Sequence, residues 1–217
     1  MKKVLLIEDR TIRQQLFFNE TNINLLHYDN IVDNCINEKY NLIINDILQD
    51  NSILNNYNII ISHKSAFEDY NEALIIIQEH CKTHNKPLVL FSGGIDANYY
   101  NSEIYEVLEL NSKTFYSQNL ILFLDDIKEG NQNLLILCYG EKWRLNIALN
   151  TVEQLNNFIE NEEKLTYRKI LRVSDIDKLN NAKIKYNQLN TENTNIREEA
   201  TRFKNSIIQY IEESINE

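Results

Sequence analysis

Glycine, proline and cysteine are scarce in this chain: four, one and three among 217 residues. Collagen-like chains, linkers and most turn-dense all-β folds need frequent positive φ angles and chain breaks, so the shortage of glycine and proline excludes them. Helices, or helices alternating with strands, remain. The cysteines Cys35, Cys81 and Cys138 are odd in number and lack C-x-x-C spacing, which predicts buried free thiols rather than a disulfide framework or a zinc site. No apolar run approaches the ~18 residues of a membrane span. The opening MKKVLLIEDR meets acids after four apolar residues, too early for a signal peptide. The expectation is a cytoplasmic protein without membrane contact.

What is present fits a globular chain, with 43% hydrophobic and 25% charged residues. The net charge of −10 is unevenly spread: residues 1–130 hold 10 basic and 19 acidic side chains, and residues 131–217 hold 12 and 13. Phosphate backbones are repelled by the first part, so nucleic-acid contact is expected only through the second.

Val4 to Ile7 is a short apolar run stopped by Glu8 and Asp9, the pattern of a buried parallel strand with acids at its tip. A helical pattern follows from Thr11, then a second strand is expected over Ile23 to Tyr28 and helix over residues 31–54. Asn58 to Ser62 and Pro87 to Phe91 read as strands around a long helix carrying Ala66, Tyr70, Ala73, Leu74, Ile77 and Cys81 on one face. A short helix is expected over Asn101 to Val107, a strand over Val107 to Leu110, and an amphipathic helix over Ser117 to Lys128, with Gly130 as its stop. Five β-α units of this kind predict an α/β class: a five-stranded parallel sheet with helices on both faces, spanning 1–130. Residues 131–217 then form a smaller α+β or mostly helical part. Its expected elements are a hairpin over Leu134 to Leu149 and a helix opened by a capping box at Thr151 and Gln154.

In open parallel sheets, ligands gather at the carboxyl ends of the strands. Here those ends carry Glu8 and Asp9, Ser62 and His63, Ser92 to Gly94, and the segment from Lys113 to Phe115. VLLIEDR, LVLFSGG and NSKTF, in that order and with 21 residues from Ser92 to Lys113, resemble the receiver domain of two-component response regulators. The resemblance implies a flavodoxin-like fold, Mg²⁺ held by Glu8 and Asp9, and a phosphoryl group contacted by Ser92 and Lys113. A carboxylate-held cation, a hydroxyl and an ammonium are what a phosphorylated Asp requires. His63, however, stands where the acceptor Asp belongs, Leu110 replaces the aromatic switch residue and Thr114 the proline. The resemblance is therefore to an atypical, or pseudo-, receiver. It implies a non-catalytic, phosphorylation-independent regulatory or adaptor protein that acts through protein contacts. Purely structural roles compete: the acids as a helix N-cap, Lys113 paired with Glu8 or Asp9, and His63 as a hydrogen-bonded or pH-sensitive contact.

Two alternatives arise from other segments. Ser92 to Asp96 resembles the SGG-x-D loop of PP-loop ATP pyrophosphatases, which would make the protein an ATP-binding enzyme. Residues 131–217, with a basic stretch of seven basic and two acidic side chains over 164–185, could make the chain a response-regulator-type transcription regulator that binds DNA through this part. His80 and His84, four apart, could share a helix face as metal ligands do. Near the C-terminus, Phe203, Ile207, Tyr210 and Ile211 lie on one apolar stripe, expected to pack on the chain, form a homodimer or dock a partner.

Overall fold

A computed structural model describes residues 3–96, 98–161, 201–202 and 204–209. Its contacts separate into two units, Met1–Gly140 and Glu141–Glu217.

The first unit is an α/β structure built on a six-stranded, mostly parallel sheet. Its strands are β1 (Val4–Ile7), β2 (Val32–Cys35), β3 (Ile59–His63), β4 (Leu88–Ser92), β5 (Tyr99–Asn101) and β6 (Val107–Asn111), in the order β2-β1-β3-β4-β6-β5. Every pairing is parallel except that of β5 with β6. The helices are α1 (Thr11–Thr21), α2 (Glu38–Gln49), α3 (Asn71–His84), α4 (Ser112–Phe115), α5 (Gln118–Lys128) and α6 (Leu135–Tyr139).

Continuous apolar runs became β1 and β3 because both sheet faces are covered; all four residues of β1 and all five of β3 are buried. Side chains alternate between the faces. Leu5, Ile7, Ile60, Leu88 and Leu90 join one core with Ile43, Ile44 and Ile47 of α2 and with Ala73, Ile77 and Cys81 of α3. On the other face, Phe91 stacks on Phe115 at 4.1 Å and meets Tyr116 edge-on at 5.3 Å, and Tyr116 stacks on Phe17 of α1 at 5.0 Å.

Several segments depart from the sequence expectations; the long helix starts only at Asn71, with Tyr70 at its N-cap and Ala66 in the separate 3₁₀ turn Lys64–Phe67. Ile23 to Tyr28 is not a strand: Leu25–Tyr28 winds into a 3₁₀ turn, started by Asn24 accepting the N–H of Leu26 at 3.0 Å. The second strand is instead Val32–Cys35. Its polar centre is satisfied by Tyr57, which donates to Asp33 at 2.8 Å, and by Gln14, which exchanges hydrogen bonds with Asn34 at 2.9 and 3.1 Å. Between Asn101 and Val107 the chain turns rather than coils. The Asn101 side chain accepts the N–H of Glu103, and Tyr100 donates to Glu106, so the sixth strand β5 closes antiparallel on β6. The hairpin expected over 134–149 is helical. Asn133 caps Leu135, Gly140 leaves α6 with φ +70°, and α7 runs unbroken from Trp143 to Asn161. Trp143, Ile147 and Ala148 are buried while Leu149 is exposed, a helical rather than a strand period. Thr151 opens no helix; it lies within α7 and donates to the Ile147 carbonyl at 2.8 Å.

Among the described residues no helix is long and apolar enough to cross a membrane. Cys35 and Cys81 are buried free thiols, and Cys138 is a half-buried one.

Candidate functional site at the strand tips

β1 is central between β2 and β3, so the chain leaving its tip faces the chain leaving β3. Glu8 and Asp9 emerge there beside His63. The N-terminal turn of α1 adds Arg13, and the 3₁₀ turn Lys64–Phe67 after β3 adds Ser65. Tyr116, just after α4, completes the cluster from the far side.

Glu8 is fully buried, with four donors facing its two oxygens. Oε1 accepts the N–H of Arg10 at 3.0 Å and Arg13 Nη2; Oε2 accepts the Tyr116 hydroxyl at 2.9 Å and Arg13 Nε at 3.4 Å. Burial pushes the Glu8 carboxyl up, against the hydrogen bonds and charge of Arg13.

Burial acts on Asp9 in the same direction, but the Ser65 hydroxyl at 2.8 Å and the Arg13 charge outweigh it and hold the carboxyl below its usual range. Arg13 Nη2 lies 2.6 Å from Asp9 Oδ1 and 3.1 Å from Ser65 Oγ, while Arg10 Nε approaches Asp9 Oδ2 at 3.4 Å.

His63 Nδ1 accepts the backbone N–H of Ser65 at 3.0 Å, which leaves the ring proton on Nε2. Burial, then the positive charge of Arg13, lowers its pKa to about 4, so the imidazole is neutral at neutral pH. Ser65 Oγ is 2.7 Å from the same Nδ1. Its single proton, however, goes to Asp9, and Nδ1 already holds the backbone donor. Ser65 thus braces the turn after β3 against Asp9 by a hydrogen bond.

Three of the five strand-tip residues expected from the sequence thus meet: Glu8, Asp9 and His63. The hydrogen bonds of Ser92 and Lys113 go instead to their own loops. Ser92 Oγ accepts the N–H of Gly94 at 3.3 Å, and Lys113 is exposed in the first turn of α4. The pairing considered for Lys113 is made by Arg13. Nor do the acids cap α1, whose N-cap is Arg10, without a side-chain cap.

The residues expected to hold Mg²⁺ do not fit it as they stand. Ligand atoms of Glu8, Asp9 and His63 lie within 4.8 Å of one another, but each already holds a donor from the chain.

The Ser92 to Asp96 loop is held by Asn111, which donates to the Gly93 and Ile95 carbonyls at 3.2 and 2.9 Å. Strand β5 follows from Tyr99, so no helix N-terminus opens behind the two glycines to receive a phosphate. His80 and His84 stack face to face at 4.1 Å, and His80 Nε2 is buried without a partner. Stacked rings present faces to each other and do not converge their lone pairs on an ion. In the second unit Ile207 is buried; Phe203, Tyr210, Ile211 and the basic stretch 164–185 lie outside the described residues.

The sequence reading missed Arg13, Ser65 and Tyr116. Arg13 had a signal, since it follows Asp9 by four residues where a helix begins. Ser65 and Tyr116 had none, because their partners lie 56 and 108 residues away. No family model matches the chain, and comparison with curated proteins and with solved structures also finds no match.

Proposed function

We propose that this chain is a receiver-like regulatory or adaptor protein that works through protein contacts and without phosphorylation. The observation that carries the reading is His63. It ends β3 beside the acids of β1, where aspartyl phosphorylation would need a carboxylate nucleophile, and its Nδ1 is committed to the backbone of Ser65. The order β2-β1-β3-β4-β6 of the parallel strands supports a flavodoxin-like arrangement, with the cluster at the point where the strand order reverses. Contact residues are available on the first unit: Ile12 and Leu16, one turn apart on α1, are 74% and 57% exposed.

The test is incubation with acetyl phosphate and Mg²⁺, read by intact mass. The unmodified mass is expected throughout, and appearance of a covalent phosphoryl adduct overturns the reading. Replacement His63→Asp supplies the missing carboxylate and serves as the comparison for labelling.

A further inference from the structure

We propose that Arg13 is the resident cation of the strand-tip cluster, taking the place of a divalent ion and keeping Glu8, Asp9 and His63 closed to metal. The inference stands on the geometry of the cluster and does not rest on the receiver-like reading.

Two carboxylates and an imidazole with ligand atoms within 4.8 Å of one another would surround one ion at ordinary metal–ligand distances of about 2.0–2.6 Å. Arg13 uses the lone pairs that such an ion would need. One nitrogen, Nη2, bridges Glu8 Oε1 and Asp9 Oδ1, and Nε reaches back to Glu8 Oε2. This bridging by a single cationic group is what a metal would otherwise do, with hydrogen bonds replacing coordination.

Charge points the same way. Two guanidinium groups already face the two carboxyl groups: Arg13 contacts both, and Arg10 approaches Asp9 Oδ2. A dication entering between these carboxyl groups must displace Arg13, and Arg13 is tethered by α1 only four residues from Asp9. Tethering gives it a local concentration that a dilute free ion cannot match. Arg13 also joins three parts of the fold: it holds the β1 tip to Ser65 after β3 and, through Glu8, to Tyr116 after α4.

Removing the guanidinium while keeping an aliphatic stem should therefore convert the cluster into a metal site. One nitrogen and two carboxylates suit Mn²⁺ or Zn²⁺ better than Mg²⁺. The experiment uses the full chain, wild type and Arg13→Met, titrated with Mn²⁺. Free ion is followed by electron paramagnetic resonance, and the thermal midpoint is measured with and without Mn²⁺. Wild type is expected to bind no Mn²⁺ at the cluster and to keep its midpoint. Arg13→Met is expected to bind one ion, about tenfold or more tighter than wild type. Its midpoint should fall in metal-free buffer and recover with Mn²⁺. Arg13→Lys, which keeps the charge, should stay closed, and adding His63→Gln to Arg13→Met should weaken the gained binding. Equal Mn²⁺ affinity in wild type and Arg13→Met overturns the proposal. So does a folded Arg13→Met that binds no Mn²⁺, or an Arg13→Met that folds neither with nor without the ion.

Discussion

The hydroxyl of Tyr116 is one of four donors that face the fully buried Glu8 carboxyl group. Tyr116→Phe removes that donor and leaves the ring packing intact, so a loss of about 2 kcal/mol in urea unfolding is expected, the scale of a hydrogen bond to a charged group. A second residue-scale effect concerns acid. His63 and His80 are both lowered to about 4, each chiefly by burial. The folded chain thus binds their protons more weakly than the unfolded chain, where the pKa is about 6.5. Stability from these two groups is present above about pH 6.5 and is lost as pH falls toward about 4. The raised Glu8 carboxyl works in the opposite sense and blunts the loss. The urea midpoint should fall between neutral and mildly acidic buffer. In His80→Phe that fall should shrink by about half, with neutral or slightly raised stability at neutral pH, because the variant also removes a buried nitrogen without a partner. At this scale the sequence displayed chemistry but not partnership. Glu8, Asp9 and His63 were legible as polar residues ending apolar runs, whereas the hydrogen bonds of Ser92 and Lys113 go to their own loops.

Elements were legible where one local signal dominated. Ser117 accepts the N–H of Asn119 at 3.2 Å and donates to the Thr114 carbonyl at 2.7 Å, which starts α5. Four apolar residues at helical spacing, Leu120, Phe123, Leu124 and Ile127, then bury its inner face. Ser117→Ala should cost about 1 kcal/mol, measured by chemical denaturation, as loss of an N-cap does. Misreadings arose where a pattern suited two periods. Trp143, Leu145, Ile147 and Leu149 alternate like a strand, yet the buried set is Trp143, Ile147 and Ala148. Strand β2 erred the other way: Asp33 and Asn34 give it little strand character, and pairing with β1 plus hydrogen bonds from Tyr57 and Gln14 makes it one.

On the scale of the whole molecule, the described contacts divide after Gly140. The first unit holds its own sheet and core, so residues 1–140 expressed alone should unfold in a single cooperative urea transition. A gradual, non-cooperative loss of signal would show that the unit depends on the rest of the chain. By itself the sequence determined the class, because the shortage of glycine and proline and the apolar runs alternating with helical patterns are local properties. It also determined which charged residues stand at the tip of β1. Only the tertiary structure decided what those charges do. Whether Glu8 and Asp9 face a metal, Lys113 or Arg13 depends on how α1, the turn after β3 and the end of α4 converge, and that geometry is set by packing on both faces of the sheet.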